Sequence, residues 1–76
     1  MTDQRDRFRT MLEEMTAWCD EQEAAGWPSS EMEVAAKRVS MWLWICARNK
    51  PVNPVILRSL AEDTEALAKA RGDKPV

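Results

Sequence analysis

The 76-residue chain contains no histidine and no tyrosine. Without histidine it lacks the side chain that most often serves as general base or metal ligand. No Cys–His or Ser–His pair can be assembled from it. Its only two glycines are Gly26 and Gly72, too few for a glycine-rich phosphate loop. The two cysteines, Cys19 and Cys46, form no CxxC pair, and a zinc site would have to draw its remaining ligands from carboxylates. We read both as reduced, buried thiols that act as small apolar side chains. Long apolar runs are also missing. The longest, Val39 to Ala47, is interrupted by Ser40 and falls far below the roughly 20 residues that span a bilayer. The start, Met1-Thr2-Asp3-Gln4-Arg5-Asp6, is polar and has no signal-peptide core. The expectation is a cytoplasmic, non-catalytic chain with no membrane span, cofactor or metal site.

What is present is a folded-type composition, 45% hydrophobic and 32% charged. Four tryptophans and five methionines stand out in so short a chain. A chain of this length buries only roughly 60% of its unfolded surface and is marginal without help.

Apolar spacing and punctuation predict an all-α fold, a small three-helix antiparallel bundle with helices at about 3–25, 31–49 and 54–71. In the first, Phe8, Met11, Leu12, Met15, Trp18 and Cys19 recur every three or four residues, which makes one helical stripe. Thr2 or Asp3 is its expected N-cap. Gly26 can take the left-handed position that ends it, and Pro28 blocks continuation. The second helix opens on Ser30-Glu31-Met32-Glu33, a capping-box pattern in which Ser30 and Glu33 satisfy each other's backbone amides. Pro51 bars a helix beyond Arg48 or Asn49. Asn53-Pro54 restarts it, with asparagine as cap and proline at the first position. The third helix turns Ile56, Leu57, Leu60, Ala61, Thr64, Leu67 and Ala68 inward and is capped by Gly72. Residues 1–72 then form one domain, and 73–76 a flexible tail. Short connections favour antiparallel neighbours. A turn centred near Pro28 sets Cys19 level with Lys37 and Cys46 level with Thr10. The two thiols are then about 13 Å apart along the bundle, too far for a disulfide.

The second helix is where the pattern exceeds the needs of a bundle. At about 100° per residue, Met32, Ala35, Ala36, Val39, Leu43, Cys46 and Ala47 share one face, with Trp42 at its edge. Val34, Met41 and Ile45 fall nearly opposite, and Trp44 lies between. A helix that is apolar almost all round is normally enclosed, yet three helices cannot enclose the back of the middle one. Either the first helix or the Trp27-Pro28 turn folds over these residues, or they form an exposed patch. The candidate partner-binding residues are Val34, Met41, Trp44 and Ile45, with Lys37, Arg38 and Arg48 as a polar rim.

Charge is unevenly placed although the net is only −2. Residues 1–25 hold seven acids and three bases, and residues 26–50 four bases and two acids. In an antiparallel bundle Asp20, Glu21, Glu23, Glu31 and Glu33 gather at one end, and Arg5, Arg7, Arg9, Arg48 and Lys50 at the other, with Arg58 as a further candidate there. Within the first helix this opposes the macrodipole. It reads either as solvated surface with local pairs such as Asp6–Arg9, or as a charged end that steers a partner.

Three function classes follow. Catalysis is the weakest, since adjacent carboxylates such as Glu13 and Glu14 point about 100° apart on a helix. Nucleic-acid binding through the basic end is the alternative, with tryptophans stacking on bases. Against it stand the net negative charge and an outer face of the third helix too acidic for a major groove. The favoured reading is a small helical protein–protein interaction module: an adaptor, regulator or inhibitor that docks on a larger protein or on a second copy of itself, whose dimerisation would complete the core. Inhibitors carried by phages or mobile elements, anti-CRISPR proteins among them, share its size and type, an analogy that carries no residues over.

Overall fold

The computed structural model describes residues 4–48 and 53–72. Within them the chain forms three helices, α1 (Gln4–Ala25), α2 (Ser30–Arg48) and α3 (Pro54–Ala70). The expected caps Thr2 and Asp3, the residues around Pro51, Lys50 and the 73–76 tail lie outside the described residues.

The punctuation acts largely as its residue types dictate. Gly26 and Gly72 both take positive φ, 81° and 82°, the left-handed conformation that glycine adopts without a Cβ clash. Asn53 accepts a hydrogen bond from the Val55 amide at 2.8 Å, with Pro54 following in the first turn. The start of α2 differs from expectation. Ser29, rather than Ser30, is the cap: its hydroxyl accepts from the Met32 amide at 3.2 Å, and its carbonyl accepts from the Glu33 amide at 3.2 Å. The third residue of the helix is then Met32, so no reciprocal box forms. Two adjacent serines offer the same hydroxyl, and beginning one residue earlier gains a further helical residue. It also leaves Glu33 free to meet Lys37 at 3.6 Å.

α2 is the middle helix. It supplies seven of the buried apolar residues, Met32, Ala35, Ala36, Val39, Leu43, Cys46 and Ala47, while α3 adds Leu60 and Leu67. No residue of α1 is fully buried. Phe8, Leu12, Met15, Trp18 and Cys19 pack against the core from one side, and Ile56 and Leu57 from the other. Met11, expected in the core, is 47% exposed.

The reason lies in how the inward face of α2 is divided. Small residues line its two flanks: Ala36, Ser40 and Ala47 towards α1, where Cys19 Sγ lies 3.9 Å from Ser40 Oγ, and Ala35 and Cys46 towards α3. Outer helices can approach closely on each flank. Between the flanks runs a row of larger side chains, Met32, Val39 and Leu43, which wedges them apart. Accordingly no Cα of α1 comes within 8 Å of a Cα of α3. A notch of about 230 Å³ remains between them, floored by Val39 and Leu43 and walled by Met11, Met15, Trp18 and Leu60. The Arg71 guanidinium reaches across to the Trp18 ring, 5.1 Å from its centroid. Thr64, placed inward by its spacing, is exposed at the notch and returns its hydroxyl to the Leu60 carbonyl. Ala61, also expected inside, is exposed.

Candidate protein-docking face

The back of α2 is positioned by the two hydrogen-bonded flanks of the same helix. On the α3 side, the Trp42 indole Nε1 donates to Asp63 Oδ2. This satisfies a half-buried polar group and fixes the rotation of α2 against α3. On the α1 side, Ser40 meets Cys19. With both flanks and the core row engaged, residues about 160–200° away from Leu43 must point outward.

Val34, Met41 and Ile45, singled out from the sequence, are among those residues, and Trp44 lies about 100° from Leu43, just beyond the α1 flank. Val34 is 51% exposed, Met41 47% and Trp44 51%. Ile45 is half-buried, and Lys37, Arg38 and Arg48 are exposed. Among the described residues the other large exposed apolar side chains are Met11 at the notch and Val55 at the start of α3. Among the described residues nothing folds over Val34, Met41 and Trp44. The Trp27-Pro28 turn goes elsewhere: the Trp27 ring packs edge-on against Trp18, with centroids 5.7 Å apart and planes at 76°, and its Nε1 donates to Glu23. Of the four apolar residues Val34, Met41 and Trp44 are open, and Ile45 is half-buried.

The rim is ordered by local pairs. The Arg48 guanidinium lies 4.5 Å from the Trp44 ring centroid, one helical turn away. Such a cation–π contact is worth about 0.5–1 kcal/mol at an exposed site, and it presents the indole and the cation as one unit. Lys37 pairs with Glu33. Arg38 borders a shallow cavity of about 540 Å³ between α2 and α3, which Val34, Ala35, Ala66 and Ala70 floor and Asp63 and Lys69 flank. The patch and this cavity share Val34 and Arg38, so the apolar back of α2 continues into the α2–α3 furrow. Neither this furrow nor the notch was foreseen. Their signal in the sequence is the pair of alanines Ala66 and Ala70 on α3, and the large Met11 and Trp18 on the side of α1 that would have to meet α3.

The remaining chemistry is sparse. Both cysteines are free. Cys19 stands beside Ser40, about one turn further along α2 than the expected Lys37 level, which sets the turn centre nearer Ser29. Burial pushes the Cys46 thiol above its ordinary range, since the thiolate would sit in an apolar interior. Among the described residues no three acidic or cysteine side chains gather as a metal site. None of the described helices is long and apolar enough to cross a membrane. No known protein family, curated protein or solved structure matches the chain.

Proposed function

We propose that this is a small non-catalytic protein-interaction module, an adaptor, regulator or inhibitor, that docks through the back of α2. The observation that carries the reading is the exposure of Val34, Met41 and Trp44 together on one helix face, although the same helix also holds most of the core. Scattered exposed apolar residues are ordinary, but a contiguous set on one face marks an association site. Tryptophan, methionine and arginine are enriched where proteins meet, and Trp44 stacked with Arg48 has the make-up of a binding hot spot. Lys37, Arg38 and Arg48 supply charges at the edge of the patch, where they remain hydrated and orient a partner without a large desolvation cost. The reading rests on this face and on the absence of histidine from the sequence.

The test is affinity capture from the native host with the wild-type chain and with Trp44→Ala. Trp44 is half exposed and leaves the core intact, so the variant keeps its helicity by circular dichroism. Proteins held by the wild type and lost with the variant support docking. Identical capture by both chains contradicts it.

A further inference from the structure

We infer that the furrow between α2 and α3 seats an acidic amphipathic helix of another protein, with a carboxylate set between Arg38 and Lys69 and its apolar side over Val34. The inference rests on the docking reading above and adds the chemistry of the partner. The charge of the furrow walls and the shape of its floor carry it.

The Trp42–Asp63 hydrogen bond fixes the register of the two helices. Ala35 and Ala70, each seven residues from one of those partners, line the same furrow. The helices are therefore antiparallel, with Arg38 level with Leu67, and Lys69 lies only about 3 Å further along the axis. Arg38 and Lys69 line the furrow from opposite walls, and both are exposed. Two cations thus face each other across an apolar floor, where they repel. Neither forms an ion pair among the described residues, whereas Lys37 is held by Glu33. The acids of the walls leave the two unmatched: Asp63 accepts from Trp42, and Glu31 stands about 10 Å from Arg38 along α2. The adjoining patch continues the sign, since from Val34 to Arg48 α2 carries three bases and no acid. A partner carboxylate between Arg38 and Lys69 turns their repulsion into two charge-assisted contacts. A second copy would bring the same bases to this face and add to the repulsion.

The shape selects a helix. Ala35, Ala66 and Ala70 keep the floor low, so a third helix can approach to the roughly 8–10 Å at which helices pack. Both walls are helices whose backbone groups are bonded internally. An extended segment would find no partner there for its own amides, while a helix satisfies its own. Val34 belongs to the furrow and to the exposed patch, so the apolar side of such a helix passes from one to the other. The apolar floor suits a protein side chain better than a nucleic-acid base edge, which needs hydrogen-bond partners.

The test places benzoylphenylalanine at Val34, irradiates in the native host and sequences the cross-linked segment, which is then synthesised as a peptide. The expected segment holds more acids than bases and gains helicity by circular dichroism when the purified chain is added. Its binding weakens as salt rises. An Arg38→Gln, Lys69→Gln chain, which keeps the wild-type melting point because both sites are exposed, binds it about tenfold more weakly. A segment richer in bases, a peptide that stays extended when bound, a nuclease-sensitive adduct, an adduct to a second copy, or unchanged binding by the double variant overturns the inference. An adduct from position 41 with none from position 34 overturns the furrow and leaves the docking reading standing. No adduct from either position overturns both.

Discussion

Leu43 and Met41 are two residues apart on α2 and point about 200° apart, so truncating each to alanine should give opposite outcomes. Leu43 is 1% exposed and floors the core row between α1 and α3. Leucine-to-alanine changes at such sites cost about 3 kcal/mol, because the lost transfer energy adds to the cavity left behind. For 76 residues the total stability is expected at roughly 4–11 kcal/mol, so Leu43→Ala removes a large share of it. The melting point should fall by roughly 12–24 °C. Met41 is 47% exposed. Its truncation loses only part of the methionine's burial. It recovers side-chain entropy of up to about 1.5 kcal/mol, and alanine is the stronger helix former. Met41→Ala should therefore lie within about 1 kcal/mol of wild type. Urea unfolding followed by far-ultraviolet circular dichroism measures both. Dilute protein keeps any self-association out of the comparison. A Met41→Ala cost equal to that of Leu43→Ala, with unchanged m, would refute the placement of Met41 on an open face.

Other perturbations separate neighbouring details. Ser29→Ala should cost about 1 kcal/mol and Ser30→Ala close to nothing, since the Ser29 hydroxyl caps α2; the reverse order in thermal melts would restore the Ser30 box. Trp42→Phe removes the donor to Asp63 and should cost about 1 kcal/mol, while Asp63→Asn keeps an acceptor and costs less. A Trp42→Phe melt that matches wild type would show that the indole hydrogen bond does not hold α2 against α3. For Cys46 the folded thiol titrates above its unfolded value, so the native state keeps its proton longer. The associated stability is fully present below the unfolded thiol's pKa and is lost as pH rises through the folded one. The urea midpoint should therefore drop between neutral and strongly alkaline pH, and Cys46→Ala should flatten that drop. An equal drop in the variant would assign the pH dependence to other groups.

Much of this was legible in the sequence because local chemistry decided it. Gly26, Asn53-Pro54 and Gly72 set helix ends through φ preferences and capping that need no tertiary context. The core face of α2 followed from its 3.6-residue period, and with it the outward set Val34, Met41 and Trp44. What was not legible depends on how helices sit against one another. The choice of Ser29 over Ser30 turns on one residue of helix length between equal hydroxyls. The exposure of Met11 and Ala61, and the notch beside Thr64, follow from Val39 and Leu43 holding α1 and α3 apart. A periodic stripe on α1 or α3 cannot report that separation. Trp42 was assigned to an edge, but its bond to Asp63 needed the register of α2 on α3.

Docking through the back of α2 is tested most directly by a photo-reactive benzoylphenylalanine placed at Met41 and, separately, at Glu65 on the outer side of α3, with irradiation in the native host. Docking there predicts a discrete adduct from position 41, whether to a second copy or to another protein, and none from position 65. No adduct at position 41, or the same products from both positions, would contradict it.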